Sequence, residues 1–140
     1  MENYKNKNLL APLGEQQLKF VADMEYFKET NDVLIKELKN QVQGVIVTIT
    51  KIEENINNLN TELVKAESNK KDNDIDSIKT MIDFSEGYKQ RYSTFKQELE
   101  ISIKKLALDN FKIMQSLISE LKEIKNFMEK LVSSKMEESN

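Results

Sequence analysis

Residues 35–66 read IKELKNQVQGVIVTITKIEENINNLNTELVKA. The apolar positions are Ile35, Leu38, Val42, Val45, Ile49, Ile52, Ile56, Leu59, Leu63 and Ala66, in alternating steps of three and four. A helix turns once in about 3.6 residues, so a 3.5-residue repeat stays on one face only when the helix underwinds slightly against a neighbour. The spacing therefore predicts a long helix in a left-handed coiled coil. One proline and three glycines in 140 residues leave room for helices well beyond ordinary length.

Working upstream, the stripe continues through Phe20, Met24, Phe27, Asn31 and Leu34 and joins the main run by four-residue steps at Leu34, Leu38 and Val42. Such steps are a stutter, which locally unwinds a supercoil. Gly14 is a candidate N-cap with Gln17 at the third helical position, and Leu13 and Leu18 are spaced for a hydrophobic staple. The first helix is placed at about 15–67, after a flexible polar arm over residues 1–13. Gly44, followed by the β-branched run 45–50, weakens helicity and marks a possible kink.

Working downstream, the polar segment 68–73 reads as a loop, with Asn69 ending one helix and Asn73 or Asp74 capping the next. The second helix is placed at about 74–132. Its stripe is Ile78, Met81, Ser85, Tyr88, Tyr92, Phe95, Leu99, Ile103, Leu106, Asn110, Ile113, Leu117, Leu121, Ile124, Met128 and Leu131, with stutters at Leu99 and Leu117. Gly87 is a second candidate break, and residues 134–140 read as a frayed tail.

A short loop between long helices makes them antiparallel neighbours. Folding the chain back sets Leu63 against Met81, Ile56 against Tyr88, Ile49 against Phe95, Leu38 against Leu106 and Phe27 against Leu117. Apolar meets apolar throughout, so two independently read stripes agree in register. The fold class is all-α: one helical-hairpin domain over 14–133. Asn31 and Asn110 interrupt the stripe at similar heights, and a buried Asn can fix coiled-coil register at some cost in stability.

A second apolar set lies off this seam: Tyr26, Val33 and Val47 on the first helix, and Ile101, Leu108, Phe111, Met114 and Ile118 on the second. A lone hairpin would leave it in water, and two helices bury little. These residues are the expected oligomer or partner interface, with a homodimeric four-helix bundle as the expected assembly.

Composition limits the chemistry. The chain has no Cys, His or Trp, which removes thiolate sites and the commonest general base and metal ligand. No Ser-His-Asp or Cys-His arrangement can form within it. Asp72, Asp74, Asp76 and Asp83 match part of a calcium-loop spacing, but Ser77 replaces the turn glycine and Lys79 the apolar residue, so they read as helix-start charges. No cofactor and no metal is expected. A net charge of −3 with one arginine argues against nucleic acid. No apolar run reaches membrane-spanning length, residues 5–11 are too short for a signal peptide, and the expected location is cytoplasmic. The abundance of Lys, Asn and Ile reads as AT-rich coding, without functional weight.

The expected function is non-enzymatic: a coiled-coil accessory or chaperone-like protein that holds a partner helix. Its size and shape match small secretion and flagellar export chaperones and bacteriophage accessory proteins, as analogy alone. The alternative is a membrane-surface accessory protein, associated with a phage or with lysis or secretion. It would bind lipid through segment 99–132, whose Lys104, Lys105, Lys112, Lys122, Lys125 and Lys130 could meet headgroups.

Overall fold

A computed structural model describes the backbone of residues 2–138 and the side chains of residues 14–137. It is an all-α, two-helix hairpin: α1 (Glu2–Ser68) and α2 (Asp72–Glu138). Both helices outrun the bounds read from sequence. α1 begins at Glu2, where a polar arm was expected, and α2 runs on through residue 138, past the expected fraying point. Residues 2–11 contain neither glycine nor a β-branched side chain, and Pro12, which has no N–H to give to the carbonyl four residues before it, does not end α1. Leu13 of the expected staple lies outside the described side chains, and Leu18 is exposed. Neither Gly44 nor Gly87 ends a helix.

The connection is tighter than the expected six residues: only Asn69, Lys70 and Lys71 separate the helices. Lys70 adopts φ 56°, in the left-handed region. The Lys71 N–H donates to the Ala66 carbonyl at 3.1 Å, and the Lys70 N–H to the Glu67 carbonyl at 3.3 Å. These two bonds make a Schellman stop around Lys70, a position that usually holds glycine. The Lys71 carbonyl then accepts from the Ile75 N–H at 3.0 Å, so Lys71 starts α2 instead of Asn73 or Asp74. Asp72 and Asp74 fall in the first turn, where carboxylates favour the positive end of the helix dipole.

Burial sorts each helix by a repeat stricter than the one read from sequence. On α1 the buried and half-buried positions include Gln17, Val21, Met24, Lys28, Asn31, Ile35, Leu38, Val42 and Val45, and continue through Ile49, Ile52, Ile56, Leu59, Leu63 and Ala66. The steps alternate three and four without exception. The expected stutter near Leu34 is absent: Phe20, Phe27 and Leu34 are exposed. On α2 the same alternation runs Ile75, Ile78, Ile82, Ser85 and Lys89, and again Lys96, Leu99, Ile103, Leu106, Asn110, Ile113, Leu117, Glu120, Ile124, Phe127 and Leu131; between the two runs the half-buried residue is Ser93, and Tyr92, where the strict repeat would fall, is exposed. Met81, Tyr88, Phe95, Leu121 and Met128 stand outside it and are exposed, so the stutters at Leu99 and Leu117 are absent too.

The reason is helix rigidity. Once residues 35–66 set the phase, positions 28 and 21 fall on the seam whatever they hold. Lysine is tolerated there because its stem lies along apolar surface while the ammonium reaches water. Each seam lysine ends on a carboxylate: Lys28 Nζ to Asp32 Oδ2 at 3.0 Å, Lys89 Nζ to Glu53 Oε1 at 3.5 Å, and Lys96 Nζ to Glu100 Oε1 at 3.7 Å.

The hairpin resolves into two compact units. One is Ile35–Lys105, which carries the turn; the other joins Met1–Leu34 to Leu106–Asn140. In the first, Val42, Val45 and Leu99 form the packed centre, flanked by Leu38, Ile46, Ile49 and Ile103. Asn55 Nδ2 also donates to Ser85 Oγ at 3.4 Å across its helices. The second is thinner, with Leu117 its only buried apolar side chain among the described residues.

Candidate interaction surface

The surface follows from what the seam leaves out. Lettering each α2 seam pair a (Asn110, Leu117, Ile124) and d (Leu106, Ile113, Glu120), about 100° per residue puts e and b positions roughly 100° round from the seam centre. Those positions hold Phe111, Met114, Ile118, Leu121, Lys125, Met128 and Val132, again in steps of three and four. All the apolar members are exposed, Phe111 at 59% and Ile118 at 49%. α2 therefore carries two parallel stripes, one spent on α1 and one open. A shallow surface hollow lies along the open one, lined by Leu121, Lys125, Met128 and Val132 among others. Lys112, Lys122 and Lys125 border or interrupt it.

On α1 the same unit carries a second open stripe. Phe20, Phe27 and Leu34 occupy g positions, and Tyr26 and Val33 the adjoining f positions. All are exposed, and the Tyr26 and Phe27 rings meet edge-on at 6.4 Å. In an antiparallel pair, e positions meet on one flank and g positions on the other. Asn110 marks the e flank, since its Nδ2 donates to Oδ1 of Asp32, an e residue, at 2.8 Å. The α2 stripe shares that flank and the α1 stripe lies on the other. The unit thus presents two apolar stripes facing different ways.

Each residue expected at the interface is exposed: Tyr26, Val33, Val47, Ile101, Leu108, Phe111, Met114 and Ile118. The structure gathers Tyr26 with Val33, and Phe111 with Met114 and Ile118; Val47 and Ile101 belong to the other unit. Phe20, Phe27, Leu34, Leu121, Met128 and Val132 were missed as surface residues. The sequence reading spent the first four and Met128 on the seam because they are hydrophobic. Carrying the strict repeat outward from 35–66 would have released Phe20, Phe27 and Leu34.

The aromatic step near the turn also changes role. Tyr88 and Phe95, expected on the seam against Ile56 and Ile49, are exposed instead and form a row with Met81 and Phe84, where Arg91 sits 5.8 Å from the Tyr88 ring centre. Of the two expected register residues, Asn110 is buried and Asn31 half-buried. They do not pair. Asn110 takes Asp32 instead, and Asp32 also accepts from Lys28.

Among the described residues no cluster of three or more Asp or Glu side chains could hold a metal ion. Asp72, Asp74 and Asp76 lie on a continuous helix, where successive members point about 200° apart. No described helix is long and apolar enough to cross a membrane. Comparison with protein-family models, characterised proteins and solved structures finds no match.

The accessible surface is 11277 Å². A folded monomer of 16.3 kDa ordinarily exposes about 7,500 Å². Among the described residues no large side chain is fully buried, so much of the apolar surface remains open.

Proposed function

We propose that this chain is a non-enzymatic, cytoplasmic interaction module: a coiled-coil hairpin of accessory or chaperone-like type that holds a partner helix along α2. The observation that carries this reading is the open stripe from Phe111 to Val132. Its three-four spacing repeats that of the seam that faces α1, and suits the packing of a second helix. The three-four burial along α1, and along α2 on either side of Ser93, supports left-handed supercoiling, because only an underwound pair keeps a 3.5-residue repeat in contact. Self-association belongs to the same reading, since the partner helix can come from another copy.

Site-specific photocrosslinking in the native cell tests it. A photoreactive residue at position 118 is expected to give protein adducts that one at position 90, among Glu86, Ser93 and Thr94 on a polar part of α2, does not. Equal labelling at both positions, or none at either, removes the helix-holding role.

A second reading is favoured by one observation, the lysines along the open stripe. An apolar band with lysine borders also suits an anionic membrane surface, and here it is exposed without opening the hairpin. Flotation with vesicles containing anionic lipid separates the two: no co-flotation eliminates the membrane role.

A further inference from the structure

We infer that the occupant of the α2 stripe is the α1 stripe of a second copy, joined head to tail. This rests on the reading of the α2 stripe as a helix-binding face, and adds the identity of the helix.

Three observations point the same way. First, Phe111–Val132 and Phe20–Leu34 are both exposed, both in the unit formed by the two chain ends, and both spaced as helix-packing faces. Second, their charges are complementary. Asp23 and Glu29 lie within or beside the α1 stripe, against Lys19; Lys112, Lys122 and Lys125 lie within or beside the α2 stripe, against Glu129. Third, the stripes occupy different flanks. The bond from Asn110 to Asp32 fixes the e flank for α2, and Phe27 and Leu34 lie on the g flank of α1.

The third point decides the symmetry. A two-fold bundle of hairpins needs both helices of each copy to turn apolar residues toward the same neighbour. Here each flank offers one apolar stripe, and a two-fold contact of either stripe with its own copy would set like charges together, so α1 of one copy meets α2 of the next. Such a contact does not close on itself in a dimer; it grows into a ring or an open chain. A lipid surface would cover the lysine-bordered stripe and leave the aromatic α1 stripe, with its acidic neighbours, exposed. A second copy covers both.

The shared length is set by the shorter stripe, about 21 Å for the roughly 14 steps from Phe20 to Leu34 at 1.5 Å each. A contact of that size is weak, so the full chain should be followed by sedimentation velocity from roughly 10 µM to roughly 500 µM. The wild-type average mass is expected to climb past that of a dimer. Raising salt from about 0.05 M to about 0.5 M should weaken association on the order of tenfold, because the charges at the contact are screened.

Two variants make the test specific. Phe27→Glu spoils the α1 stripe and Ile118→Glu the α2 stripe. Each alone should be monomeric, because one spoiled stripe in every copy leaves no complementary pair. Mixed in equal amounts, they should form a discrete heterodimer through the intact α2 stripe of the first and the intact α1 stripe of the second. Unchanged helical circular dichroism confirms folding, and Tyr26→Lys with Phe111→Glu serves as a second pair should either variant lose it.

A wild-type protein that is monomeric throughout, one that stops at a dimer, or a variant mixture that stays monomeric overturns the inference. So does vesicle binding lost in Ile118→Glu when the wild type shows no self-association, which assigns the stripe to lipid. If the inference fails while crosslinks from position 118 persist, the helix-binding role stands with another partner. If both fail, so does the role.

Discussion

Asn110 is the one buried polar side chain among the described residues, at 8% exposure. Its Nδ2 reaches Asp32, while its Oδ1 is buried without a hydrogen-bond partner. A buried unsatisfied carbonyl costs roughly 1–3 kcal/mol, and Asp32 is exposed enough to return to water if released. Asn110→Leu is therefore expected to stabilise the hairpin by about 1–2 kcal/mol in urea titration, and to remove the bond that ties Asp32 to this level. Asn110→Asp should do the opposite, costing about 2 kcal/mol at neutral pH by setting one carboxylate against another. The introduced carboxyl would titrate higher in the folded chain than in the unfolded one, because ionising it beside Asp32 is unfavourable. Its penalty is therefore full above the folded pKa and vanishes as pH falls below the unfolded value, which paired urea titrations at acid and neutral pH would read. Lys70 is the other informative residue. An L side chain at φ 56° costs about 1–2 kcal/mol, partly offset because glycine loses more freedom on folding. Lys70→Gly should raise stability by about 0.5–1 kcal/mol in thermal melts; a loss would mean that the lysine side chain makes a contact there.

At the scale of the element, both helices run on through residues that disfavour them. Gly44 and Gly87 lie in helix interiors, and a Cβ added at either meets nothing within 4 Å. Gly44→Ala and Gly87→Ala should each stabilise by about 1 kcal/mol, and together by about 2, since sites this far apart act independently. A melting temperature unchanged by either would mean that the helix is broken there. The hydroxyls of Thr48 and Thr50 return to the carbonyls of Gly44 and Ile46 at 3.0 Å, which satisfies them inside the helix. The existence of two helices, and their turn near Asn69, was legible from residues 35–66 and the polar break. Which residues face the seam was only partly legible. Local hydrophobicity favours Phe27 over Lys28 and Leu121 over Glu120, but a rigid helix carries one phase along its length. The three seam lysines are admitted because each stem covers apolar surface and each ammonium meets a carboxylate.

For the whole molecule, stability is concentrated rather than uniform. Val42, Val45, Ile56, Leu59, Ala66 and Leu99 are buried in Ile35–Lys105, against Leu117 in the other unit. Amides at 38–63 and 78–103 should therefore exchange with solvent on the order of tenfold or more slowly than those at 17–31 and 110–131. Uniform protection would indicate that association at the open stripes makes up the deficit, as head-to-tail assembly would at high concentration. The sequence by itself determined the class of structure, the two helices and the place where they turn, because a heptad repeat and a breaker-poor chain admit few alternatives. It also named eight of the outward residues. What only the tertiary structure decided was the phase of each helix, and with it the division of the apolar residues between seam and surface. Hydrophobicity ranks residues one at a time, whereas two long helices in contact must satisfy one geometry along all of theirs. That geometry leaves Phe20, Phe27 and Leu34 on one flank and the lysine-bordered stripe of α2 on the other.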